Sequence, residues 1–93
     1  MITYPARILL VDDNVDQLLL TEKAFARFGR EVEVVSVKNG RECLDLLSRR
    51  DFSVVILDDS LPEMNGMEVI RQIKERGFEV PVIRETNKLR SKP

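Results

Sequence analysis

Ile8-Leu9-Leu10-Val11-Asp12-Asp13-Asn14 is a four-residue apolar run that stops abruptly at two acids and an amide. A run of that length, with polar residues on both sides, suits a strand buried on both faces, as in a parallel sheet covered by helices. Val54-Val55-Ile56-Leu57-Asp58-Asp59-Ser60 repeats the pattern. Val32, Val34, Val35 and Val37 predict a further strand of β-branched residues. Val80-Pro81-Val82-Ile83 predicts a fourth, with Pro81 at its start or on an unpaired edge because proline has no N–H to donate.

Helical periodicities separate these runs. Val15, Leu18, Leu19, Phe25 and Phe28 fall at three- and four-residue steps, and Gly29 is a natural stop. After the turn Lys38-Asn39-Gly40, a second helix carries Cys43, Leu44, Leu46 and Leu47 on its apolar side. After a loop ending at Asn65-Gly66, a third carries Met67, Val69, Ile70 and Ile73 and stops near Gly77. Strand and helix alternate three times before the fourth strand. That order implies an α/β domain, a parallel sheet with right-handed crossovers and helices on both faces.

The 93 residues suffice for one small domain. With 43% hydrophobic and 33% charged residues, the balance is globular. Fifteen basic against 16 acidic residues leave a net charge of −1, which argues against direct nucleic-acid or membrane-surface binding. The absence of histidine excludes His-based catalysis, a His metal site and a phosphohistidine carrier. The single Cys43 cannot form an internal disulfide and fits a reducing compartment. No apolar stretch approaches the ~18 residues of a membrane span, and Met1 to Arg7 lack the basic start and apolar core of a signal peptide. A cytoplasmic protein is expected. Residues 84–93 hold four basic residues, one acid and one aliphatic, Leu89, so they carry +3 against −4 on the rest. They are expected to form a poorly ordered tail on a domain of residues 1–83.

The chemistry concentrates at the ends of the two most apolar strands. Asp12 and Asp13 follow the first and Asp58 the third. In an open parallel sheet such positions converge on the crevice where strand order reverses. Like charges that close need a cation, and a hard divalent ion such as Mg²⁺ takes oxygen ligands. Taken singly, each segment has a simpler reading. Asp12-Asp13-Asn14 can cap a helix, Asp58-Asp59-Ser60 can form a turn before Pro62, and Asp59 reads as a solvated neighbour. Their coincidence at the ends of paired buried strands favours a shared site.

In that order the motifs resemble the receiver domain of bacterial response regulators, the CheY-like family with flavodoxin-type strand order. The matching segments are Ile8 to Asn14, Asn39-Gly40, and Val54 to Gly66, the last being the most specific through its spacing of acid, proline and glycine. The likeness runs from about Arg7 to Ile83 and implies strand order 2-1-3-4. It implies a phosphorylated signalling domain of a two-component system rather than an enzyme. Asp58 would accept the phosphoryl group, with Mg²⁺ held by Asp12, Asp13, Asp58 and the backbone carbonyl of Ser60. Thr86, five residues after Pro81, matches the family's switch hydroxyl. The implied partners are a histidine kinase or phosphotransfer protein and an output protein.

The family continues past its fourth strand with a helix, a fifth strand ending in Lys-Pro, and a last helix. Arg84 to Lys92 are nine residues, too few for a helix and a strand at 1.5 Å and about 3.3 Å rise per residue. The sequence therefore reads as a receiver shortened after its fourth strand, with Lys88 or Lys92 as candidates to replace the family's lysine. An uncovered sheet invites association, so a homodimer, a domain-swapped oligomer or completion by a partner is expected. The alternative to phosphorylation is a phosphorylation-independent module that dimerises or sequesters a partner. A Mg²⁺-dependent phosphatase or nucleotide-binding enzyme is a third reading, weakened by the lack of a Gly-rich loop after the first strand.

Overall fold

The computed structural model describes residues 5–85. Four strands, β1 (Ala6–Val11), β2 (Val32–Val37), β3 (Val54–Asp58) and β4 (Val82–Glu85), form one sheet in the order β2-β1-β3-β4. All three pairings are parallel. The crossovers carry α1 (Val15–Ala26), α2 (Gly40–Arg49) and α3 (Gly66–Glu75). This is the expected CheY-like α/β order 2-1-3-4.

β1 is central. Leu9 lies beside Val35 on one side and Val55 on the other, and all but the first two residues of the strand are buried. Alternation along the strands then builds two cores. Leu9, Val11, Val55 and Leu57 pack with Cys43, Leu44 and Leu47 of α2 and Val69 and Ile73 of α3. Ile8 and Leu10 pack on the opposite face with Leu18 of α1, flanked by Phe25 and Ile56. Cys43 is fully buried, and desolvation pushes its thiol up to about 12, so it serves as packing rather than as a nucleophile.

Each helix begins with the same device. The side-chain oxygens of Asn14, Asn39 and Asn65 accept the backbone N–H groups of Gln17, Glu42 and Glu68 at 3.1, 2.8 and 3.0 Å. Each cap satisfies one orphan donor of a first turn. Asn14 is therefore the cap of α1, while Asp12 and Asp13 precede it.

Three expectations shift in detail. β4 runs on through Arg84 and Glu85, two residues past the expected domain boundary, and Pro81 stands just before it. Proline gives up no ladder bond there, because it is its carbonyl that accepts the Val55 N–H at 2.9 Å. α1 ends at Ala26, and Gly29, with φ of 60°, opens a 3-10 turn (Gly29–Glu31) rather than closing the helix. Val15, Leu19 and Phe28, expected on the apolar face of α1, are about half exposed. The core on that face draws on α1 alone among the three helices, so only its Leu18 and Phe25 stripe is covered. Met67 of α3 is likewise exposed.

Gly40 sets how closely α2 approaches α3. A Cβ at this position would lie 2.6 Å from Cγ2 of the fully buried Val69 and 3.1 Å from Sδ of Met64. Gly40→Ala should therefore overpack the junction and cost about 1–3 kcal/mol. In urea unfolding this appears as a lower midpoint at unchanged slope; an unchanged midpoint would show that Val69 can yield.

Candidate functional site

The register that builds the sheet also builds the site. Val11 lies beside Leu57 in the β1–β3 ladder, so the next residues, Asp12 and Asp58, emerge side by side at the carboxyl edge. Both are buried, at 8% and 6% exposure, whereas Asp13 is exposed. One carboxylate oxygen from each of Asp12, Asp13 and Asp58 lies within 4.8 Å of the others. The three acids singled out in the sequence are thus brought together.

Backbone groups hold the buried pair in place. Asp12 donates its N–H to the Val37 carbonyl at 3.1 Å and accepts the Asn14 N–H on Oδ1 at 2.9 Å. Burial, and next the negative charge of Asp12, raise the Asp58 carboxyl above its ordinary range. Backbone hydrogen bonds from Ser60 and Asp59 oppose this, and Asp13 adds to the rise. An all-oxygen set of converging acids fits a hard divalent cation, which would relieve the repulsion that the bare cluster carries.

Ser60 is exposed in the loop that follows β3. In that loop Glu63 takes φ of 68°, and the Met64 N–H closes a tight turn onto the Pro62 carbonyl at 2.6 Å. Thr86, Lys88 and Lys92 lie outside the described residues.

One pair went unread in the sequence. Asp59, expected to be a solvated neighbour, accepts two hydrogen bonds from the Arg84 guanidinium, Nε to Oδ1 at 2.8 Å and Nη2 to Oδ2 at 3.1 Å. Arg84, assigned to the tail, is instead the third residue of β4. Only the β3–β4 register, which sets Leu57 beside Arg84, makes the pair visible.

The fold and site define a doubly wound α/β domain with a carboxylate cluster at its topological switch point. The chain belongs to the response regulator receiver domain family, whose pattern matches residues 8–92. It is a receiver domain of two-component signalling. Over 79 residues it is 34% identical to the response regulator MprA of Mycolicibacterium vanbaalenii, covering 85% of this chain and 33% of that protein. Over 83 residues it is 32% identical to a chemotaxis protein CheY homolog of Campylobacter jejuni, covering 86% of this chain and 63% of that protein. The structure of the response regulator TrrA from Thermotoga maritima, in complex with Mg²⁺-BeF, matches with TM-score 0.80 and 29% identity, over 89% of this chain and 70% of that one. The chain thus spans about a third of MprA and under two thirds of the CheY homolog. No helix among the described residues is long and apolar enough to cross a membrane.

The raised Asp58 carboxyl has a thermodynamic consequence. A carboxyl raised by folding destabilises the fold where it is ionised. The penalty is absent below the unfolded carboxylate value, grows as pH rises, and is complete above the folded value. Asp58→Asn in chelator at neutral pH should therefore raise the melting temperature by a few degrees, with the gain shrinking at acid pH. A lowered melting temperature at neutral pH would contradict this.

Proposed function

We propose that this chain is a phospho-accepting receiver in which Asp58 takes a phosphoryl group from a histidine kinase or phosphotransfer protein. The observation that carries the reading is the meeting of Asp12, Asp13 and Asp58 at adjacent strand ends, one oxygen from each within 4.8 Å of the others. The structural likeness to a receiver in complex with Mg²⁺-BeF supports it.

The chemistry assigns separate work to each residue. An Asp58 carboxylate oxygen forms a bond to phosphorus while the donor's P–N bond breaks, and the electron pair leaves with the donor imidazole. With acetyl phosphate the P–O bond breaks and acetate leaves. Asp12, Asp13, Asp58 and the Ser60 carbonyl would hold Mg²⁺, which when bound supplies neutralisation of charge on the phosphoryl oxygens. Asp12, fixed by its bonds to Val37 and Asn14, keeps its carboxylate beside the acceptor. The Asp59 peptide that follows Asp58 is held by its own bonds, its N–H to the Glu85 carbonyl and its carbonyl to the Gly66 N–H, both at 3.2 Å. The product acyl phosphate carries about −2 charge, a local change large enough to alter partner contacts.

Incubation with acetyl phosphate and Mg²⁺, followed by intact-protein mass spectrometry, should give one phosphoryl adduct that Asp58→Asn abolishes. Asp13→Asn should cut the rate at low Mg²⁺ by about tenfold or more. An adduct that persists in Asp58→Asn would overturn the acceptor assignment.

A second reading, self-association, is favoured by Ile83. It lies beside Ile56 in the ladder, on the α1-facing side, yet is 54% exposed. Among the described residues no strand pairs with the other edge of β4. Light scattering at rising concentration should then show a dimer, weakened by Ile83→Lys; a monomer throughout would reject this reading.

A further inference from the structure

Asp59, the residue after the acceptor, is gripped from two sides. From β4, the Arg84 guanidinium holds its carboxylate by both oxygens, at 2.8 and 3.1 Å, and the Glu85 carbonyl accepts its N–H at 3.2 Å. From α3, the Gly66 N–H donates to its carbonyl at 3.2 Å. A larger residue would be tight at that point. A Cβ on Gly66 would meet the Asp58 carbonyl oxygen, Asp59 Cα and Asp59 Oδ1, each at 3.2 Å. The first peptide of the loop is therefore fixed between the end of β4 and the start of α3.

The same backbone serves the acceptor, because Asp59 is joined directly to Asp58 and leads into Ser60. A shift of the Asp59 peptide must therefore move the acceptor's own backbone with it. A planar fork on a carboxylate restrains direction as well as distance, which a single ammonium contact does not.

We propose that Arg84 is a positioning residue for phosphoryl transfer: by clamping Asp59 it holds the Asp59-Ser60 backbone that aims the Asp58 carboxylate at the incoming phosphorus. This rests on the acceptor role assigned to Asp58 above. Arg84 touches neither phosphorus nor Asp58 and acts through Asp59. Its side chain is exposed, so its loss should change the rate much more than the stability.

The test uses the full chain with acetyl phosphate and Mg²⁺, comparing the unaltered protein with Arg84→Gln, Asp59→Asn, the double variant and Arg84→Lys. Arg84→Gln should lower the rate constant at saturating acetyl phosphate about three- to tenfold. The half-saturating donor concentration and the melting temperature should stay nearly unchanged. The double variant should be no slower than the slower single variant, since both remove one clamp, and Arg84→Lys should recover part of the rate. Unchanged rates in Arg84→Gln, additive losses in the double variant, or a loss matched by a fall in melting temperature would each overturn the positioning role and leave the acceptor role standing. No adduct on the unaltered chain would overturn both.

Discussion

Everything in this domain depends on the parallel pairing of β1 with strands on both its edges. Ile8 to Val11 are buried on both faces, so the ladder cannot slip by one residue without moving apolar side chains into the wrong core. That fixed register brings Asp12 level with Asp58. Two acids that repel each other are held together because the buried residues behind them have no other place to go. The folding energy of the core thus sustains an arrangement that its own electrostatics oppose. A cluster of this kind is destabilising when bare and becomes useful when a cation and a phosphoryl group share it.

The helices meet the same edge in a uniform way. Asn14, Asn39 and Asn65 each close a first turn, so the loops after β1, β2 and β3 end at defined points. Asp12 and Asp13 are spared capping duty because Asn14 performs it. One short loop therefore carries both a helix start and two acids without either function taking the other's residues.

Much of this was legible in the sequence because the signals were local. Four apolar residues followed by an acid, twice, gave the central strands and the site. Asn-Gly before a helical period, twice, gave the starts of α2 and α3. The exposure of Val15, Leu19 and Phe28 was not legible, since periodicity reports that a face is apolar and not whether a neighbour covers it. The Arg84–Asp59 clamp was hidden for a related reason. It joins residues 25 positions apart through a strand register that no composition reveals. Arg84 read as part of a basic tail because only charge, and not pairing, was visible there.

Cys43 gives the molecule a built-in reporter. Its sulfur is fully buried against both central strands, and its thiol stays protonated at any ordinary pH. An alkylating reagent can reach it only when α2 lifts from the sheet. The labelling rate then measures how often this core opens, without any introduced probe. Leu9, Val11, Val55 and Leu57, whose strands run into Asp12 and Asp58, share that core, so a ligand that steadies the acids should slow the labelling.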